Sequence, residues 1–276
     1  MVIDLTRLEK PVIDLAGVTG VVELVGDYTG ARIVVKNADG VFIRNRGFVS
    51  IRTEQEEALV LDNPRGVVLT GIDRGLVLHG ALQVWNECAG LTVDGLVIQG
   101  AHTGIRCNQK HVYSDIIIRN CLITDCSHEG VYLGHFARHD SPATGVVVER
   151  NDIMYCGWDG LQIGNAAGAS ITGNRIYHCG QAGTKWQDFS LCLNPGFTGT
   201  VYGNTLIGKV QCITTGGVIR FSDNEIRSGV DYAVFIKSMK DEKAGSVVME
   251  KNRIEVTGLN TFLYIQEGEE VEIIIN

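Results

Sequence analysis

The chain has 276 residues, 45% of them hydrophobic, with 34 glycines against 4 prolines. That is enough to close a sizeable core, and no apolar run approaches the roughly 20 residues that a membrane-spanning helix needs. A formal charge of −8, from 24 Lys and Arg against 32 Asp and Glu with no basic cluster, argues against nucleic acid and acidic membranes, both of which reward phosphate-neutralising cations.

In chain order, Met1 to Asp4 begins without the basic and apolar regions of a secretory signal, so the sequence reads as not exported by that route or as cut from its signal. Asp4 to Glu9, stopped by Pro11, is expected to form a short amphipathic capping helix with Leu5 and Leu8 inward. Residues 1–20 then read as a cap on one elongated domain covering 1–276, since a repeat protein must hide its terminal edges.

After the cap the chain becomes repetitive. Short strands with aliphatics on alternate residues have Ile33, Leu59, Leu82, Ile105, Val131, Leu161, Leu191, Ile213, Val234 and Leu263 as their first inward positions. A second phrase, an aliphatic run, an Asn, a spacer and another aliphatic, recurs at Asn120, Asn151, Asn174, Asn204, Asn224 and Asn252. Period-two alternation with no sustained 3.6-residue period means strands, and a phrase returning at intervals of 20–50 residues means stacked coils, about ten of them. Gly, Asn and Asp punctuate the strand ends as tight turns require. The Asn column is expected to be a structural ladder of amides, and Cys126, Cys156 and Cys179 a column of packed thiols. The eight cysteines are dispersed over coil positions instead of disulfide-framework spacings, so free thiols are expected.

This grammar resembles the right-handed parallel β-helix of the pectate-lyase-like superfamily, over roughly residues 20 to 276. The resemblance implies an all-β solenoid. It also implies a carbohydrate partner, because the superfamily's enzymes include pectate and alginate lyases, polygalacturonase-like hydrolases and uronan epimerases, and phage tailspikes share the scaffold. The sequence lacks the Asn-Thr-Asp, Asp-Asp, Gly-His-Gly and Arg-Ile-Lys set of the polygalacturonase-like enzymes and the Arg-x-Pro-x-x-Arg segment of pectate lyases. Those specific activities therefore lose ground.

Chemistry is expected on the outward row beside the inward aliphatics, where Gln83, Arg106, Tyr132 and Gln162 follow one another at about 4.8 Å per coil. The longest coils carry insertions, His135 to Asp140 and Gln181 to Asp188, placed to wall that face from opposite sides of coils four to seven. The turns entering the strands add a column of His102, His128, Trp158 and Asp188. Beside it Glu129 and Asp159 form a carboxylate pair at the separation that a retaining glycosidase needs. A lyase would use other members: Arg106 or Lys185 on a sugar carboxylate, with Tyr132 or His128 taking the C5 proton. Trp158, Trp186, Gln162, His135 and Asp188 would bind substrate, the tryptophans by stacking on sugar rings. Each has a bland alternative: an acid before Gly often only bonds turn backbone, and a tryptophan often packs a loop. No motif implies a cofactor, although stacked carboxylates and carbonyls supply the oxygens Ca²⁺ takes. His135 and His139 have His-x-x-x-His spacing without the Glu or the third ligand of a zinc site.

The leading expectation is thus an enzyme that cleaves a polysaccharide or oligosaccharide lying along the outer sheet face, by hydrolysis or elimination. The alternative is a non-catalytic phage tail or surface fibre for glycan adhesion or spacing, with outward Phe235, Phe262 and Tyr264 as the contact of a trimer.

Overall fold

The structure is a computed structural model describing residues 1–107, 113–134, 142–184, 186–229, 232–238, 245–257, 261–265 and 272–276. Each strand pairs with the equivalent strand one coil on, in parallel and in register, as in the series Val93, Ile118, Val148, Ile171, Val201, Phe221 and Met249. Each coil contributes up to three strands, which stack into three faces. Face one includes Tyr113–Arg119, Val147–Glu149 and Ala169–Thr172; face two includes Leu122–Thr124, Asp152–Met154 and Arg175–Tyr177; face three includes Ile105–Cys107, Val131–Leu133, Leu161–Ile163 and Phe189–Leu193. Two long strands, Val49–Asp62 and Leu76–Trp85, run from face two into face three, the first with an irregularity between Arg52 and Leu59.

Alternation decides which residues line the inside. On face three, Leu82, Ile105, Val131, Leu161 and Leu191 stack in register and are fully buried in one continuous core. Burying each such side chain contributes roughly 1.5–3 kcal/mol. The same spacing of rows keeps like beside like, so the core is a set of aliphatic columns along the axis. The eight cysteines are free thiols, and all but the half-buried Cys179 are buried among these columns or just outside them.

Corners are where polar residues enter the interior. Between faces one and two, Asn151, Asn174, Asn204, Asn224 and Asn252 form an unbroken ladder. Each amide oxygen accepts from the backbone N–H and the side-chain amide of the Asn one coil earlier, at 2.8–3.0 Å. Each amide also donates to a main-chain carbonyl, such as Asn174 to Val148 at 2.9 Å. The ladder thereby satisfies backbone groups that a corner would otherwise strand in the core. Asn120 does not join it. The pairing of Leu122 with Asp152 puts Cys121 in the ladder position, where its N–H meets Asn151 Oδ1 at 3.0 Å. Asn120 falls one residue early, in a left-handed turn (φ 55°), and its amide donates instead to Asp94 Oδ1 at 2.7 Å.

Three other expectations need correction. Residues 4–9 form no α-helix. Val2–Asp4 is a strand paired with Glu23 to Val25, followed by a single 3-10 turn, Leu5–Arg7, capped by the Asp4 side chain. One turn cannot repay helix nucleation, whereas Val2 and Ile3 gain a ladder; Leu5 is buried as expected and Leu8 packs on the core. The coil after Leu191 begins its inward row at Val210, not Ile213, because Leu191 pairs with Val210 and Val210 with Val234. Finally, Phe235 is 1% exposed and so offers nothing to a subunit contact, although Phe262 and Tyr264 are each 47% exposed. Among the described residues no helix is long and apolar enough to cross a membrane.

Asn174→Ala removes the acceptor for two donors of Asn151 and the donor for Val148. We expect a loss of about 3 kcal/mol, from buried groups left unpaired at about 1–3 kcal/mol each. Urea unfolding of the variant should show it, while Asn120→Ala should change the midpoint far less.

Candidate functional site

The corner leading into face three is built around glycine. A β-carbon on Gly130 would sit 2.4 Å from Ile153 Cγ2 and 2.7 Å from the Gly160 carbonyl, so no larger residue fits there. The residues just before these glycines are thereby fixed in columns. Backbone bonds run from His128 N to His102 O (2.8 Å) and from Trp158 N to His128 O (3.2 Å), and the rings follow. His102 and His128 lie 3.6 Å apart, tilted, and His128 and Trp158 stack at 3.6 Å with 7° between planes. Burial and the neighbouring His102 hold His128 below the usual imidazole range, so it is neutral at pH 7 and able to accept or donate through its ring nitrogens.

Glu129 and Asp159 stand one coil apart in the next column, linked through Gly130 N to Asp159 O. Both are buried, at 4% and 0% exposure. Thr103 Oγ1 donates to Glu129 Oε2 at 3.0 Å, and Phe189 N donates to Asp159 Oδ1 at 2.9 Å. Asp159 Oδ2 is buried with no partner among the described residues. Burial, against the help of the Phe189 N–H and with the charges of Glu129 and Asp188 nearby, pushes the Asp159 carboxyl up to about 8. It is therefore protonated at neutral pH.

The outward row of face three runs Gln83, Arg106, Tyr132, Gln162, Cys192, Gln211 and Phe235. It is open only in part. Arg106 and Tyr132 are half-buried, whereas Gln83, Gln162, Cys192, Gln211 and Phe235 are buried. Residues 186–188 lean toward the C-terminal end of this row. The base of their loop closes where Gly180 meets Asp188, and the Trp186 ring lies 5.8 Å from Phe235. Asp188 is ion-paired with Lys209, whose ammonium also lies over the Phe189 and Tyr232 rings at 5.1 and 5.3 Å. Cys192 is held between Gln211, whose amide donates to its sulfur at 3.1 Å, and Asn194 at 3.4 Å.

The structure thus brings together His128, Trp158, Glu129, Asp159, Arg106, Tyr132 and Gln162 over three adjacent coils. It sets Trp186 apart, packed toward Phe235, and places Asp188 in an ion pair at the foot of its loop. Lys185, His135 and His139 lie outside the described residues. Arg106 forms no ion pair among the described residues. Sequence reading missed Lys209, because the register error at Ile213 hid that it stands beside Phe189. A register-aware comparison of the 189–193 and 209–214 strands would have found it.

Comparison with known proteins fits this architecture. The model for the right-handed β-helix region matches residues 80–276. The chain belongs to the right-handed β-helix family. No curated protein matches this sequence. Among solved structures, the A-module of mannuronan C-5 epimerase from Azotobacter vinelandii is similar over 92% of this chain and 86% of its own, at 12% identity and a TM-score of 0.59. Polygalacturonase from Erwinia carotovora is similar over 91% of this chain and 89% of its own, at 11% identity and a TM-score of 0.47. At 12% identity the likeness to the epimerase module is one of fold.

The buried Asp159 makes a pH prediction. Its folded value of about 8 exceeds its ordinary 3.8, so between the two the folded β-helix binds a proton that the unfolded chain has released. Stability must then fall as pH rises through that window. Asp159→Asn keeps the oxygen that accepts from Phe189 N and removes the titration. The melting temperature of the variant should gain on that of the parent steadily from about pH 4 to about pH 8, and a constant difference would show that Asp159 does not titrate there.

Proposed function

We propose that this β-helix binds a uronate-containing polysaccharide across face three and acts on the C5 proton of one sugar, by elimination or by epimerisation. The observation that carries the reading is Arg106, a half-exposed guanidinium with no ion pair among the described residues, beside half-exposed Tyr132 one coil on. A guanidinium without a carboxylate on an open sheet face suits the carboxylate of an acidic sugar, which it can take in two parallel hydrogen bonds. Neutralising that carboxylate makes the C5 proton removable. Tyr132, when ionised to the phenolate, accepts it, and the electron pair passes into the carboxylate group. Elimination then expels the C4 glycosidic oxygen, which takes up the proton that Tyr132 accepted. Epimerisation instead returns a proton to the opposite side of C5. Trp158, stacked on His128, supplies a flat face for a neighbouring sugar, and Lys185 stays a second candidate for the carboxylate.

Support also comes from the fold shared with the mannuronan epimerase module, by likeness of scaffold alone. A retaining hydrolase is less well served. Its two carboxylates must reach the glycosidic bond, and Glu129 and Asp159 are covered. The adhesion or fibre reading would leave Arg106 and Tyr132 as simple contacts.

The test is a panel of alginate, polygalacturonate and neutral glycans assayed for new reducing ends, for the ultraviolet absorbance of an unsaturated uronate, and by NMR for inversion at C5. Either of the last two signals is expected, with Tyr132→Phe and Arg106→Ala each lowering turnover by about 10²- to 10⁴-fold. Reducing ends alone, lost in Glu129→Gln, would overturn the proposal in favour of hydrolysis. Silence on every polymer would favour adhesion.

A further inference from the structure

A second surface lies on face two, away from Arg106 and Tyr132. Its outward row runs Thr29, Arg52, His79, Gln99, Thr124, Met154 and Tyr177 in register. The first part forms the floor of a cleft of about 940 Å³, walled by the polar 53–55 excursion and by Asp125. Arg52 Nη2 lies 3.2 Å from His79 Nε2, and the Gln99 amide lies 3.1 Å from His79 Nδ1. A guanidinium can only donate, so His79 Nε2 accepts and the ring is neutral. Arg52, like Arg106, has no carboxylate partner among the described residues.

The cleft runs on into an aromatic platform. Along the adjoining corner the equivalent positions are Gly100, Asp125, Tyr155 and His178, joined by backbone bonds from Gly100 N to Thr124 O, Asp125 N to Met154 O and Tyr155 N to Tyr177 O. All four are left-handed, with φ of 65°, 57°, 55° and 54°. Glycine tolerates that region and Asp and His enter it more readily than most residues; Tyr strains there, because a β-carbon crowds the following carbonyl. Yet Tyr155 is 50% exposed, so core packing does not explain why it stands there. Its ring stacks on His178 at 5.1 Å with 4° between planes, and Tyr177 meets both edge-on at 6.3 and 5.4 Å. A bulky residue held in this conformation and presented to solvent is a candidate ligand contact.

We propose that face two is a second polysaccharide-binding surface, with Arg52, His79, Gln99 and Asp125 taking hydroxyl and carboxylate groups of the chain and Tyr155 with His178 stacking on sugar rings. The chemistry is that of a glycan. Donors and acceptors sit side by side in the cleft, and flat apolar faces lie next to them. From Arg52 to Tyr177 the row spans five coil spacings, about 24 Å at about 4.8 Å each, a footprint for several sugars in an extended chain. The irregularity of the Val49–Asp62 strand between Arg52 and Leu59 lies between this stretch and the row of Arg106. One long polymer held at both gains avidity without any new contact at the reacting sugar. The ligand class rests on the reading given under Proposed function, but binding here is independent of the reaction.

The test is affinity electrophoresis of the whole protein through gels containing alginate, polygalacturonate or xylan, with melting temperatures measured in parallel. The variants are the double substitution Tyr155→Gly with His178→Gly, and Arg52→Ala. Glycine suits the left-handed corner, so the double variant should melt no lower than the parent, while its Kd for the retarding polymer rises about tenfold. Arg52→Ala should weaken binding too, and turnover of short oligosaccharides should be unchanged in both. Retardation equal in parent and variants would overturn the second surface and leave the reading of face three standing. A lower melting temperature in the double variant would also overturn it, by showing that the rings serve packing. No retardation of the parent by any polymer would overturn both readings together.

Discussion

Everything in this molecule depends on one constraint, the in-register parallel pairing of each coil with the next. Because a strand's hydrogen bonds go to its neighbours along the axis, a residue's surroundings are set by the residues one coil away as much as by its neighbours in sequence. Inward positions become aliphatic columns, the corner between faces one and two becomes an amide ladder, and the corner before face three becomes a column of glycines. A side chain is tolerated where its column tolerates it, which is why the Asn ladder passes from Asn252 back to Asn151 and ends at Cys121.

The same constraint concentrates chemistry. Columns bring like groups within about 5 Å of one another, so two acids at equivalent positions must share one environment. Glu129 and Asp159 meet that demand by burial and by protonation of Asp159, not by opening to solvent. His128 is likewise held neutral between His102 and Trp158. On the open part of face three Arg106 is, among the described residues, a cation without a carboxylate partner, and this cation beside covered acids turns the proposed chemistry from hydrolysis toward the C5 proton. Face two repeats the theme with Arg52 beside neutral His79. Among the described residues Arg52 and Arg106 thus stand without a carboxylate partner on two faces of the β-helix, a layout suited to a long ligand.

Loops decide how much of a face is available. The 181–188 segment, tied at its base by Gly180 against Asp188 and by the Asp188–Lys209 ion pair, sends Trp186 toward Phe235. The aromatic layer of Trp186, Phe235, Tyr232 and Tyr264 thus covers the C-terminal part of a row that would otherwise be continuous with Arg106 and Tyr132.

The sequence by itself determined the coils, the inward rows from Ile33 to Leu191, the ladder from Asn151 onward and the succession Gln83, Arg106, Tyr132 and Gln162, because period-two alternation and repeated turn residues act locally and recur. It could not settle register where coil length changes by a few residues, as at Asn120 and Ile213, since neighbouring aliphatics such as Val210 and Ile213 satisfy the local pattern equally well. Nor could it say which outward residues stay outward. Burial of Gln162 and Asp159 comes from coils and loops far away in sequence, and the cleft on face two from the packing of an excursion whose alternation gave no sign of its direction. Those features belong to the tertiary structure alone, because desolvation is a property of everything that surrounds a group and not of the segment that carries it.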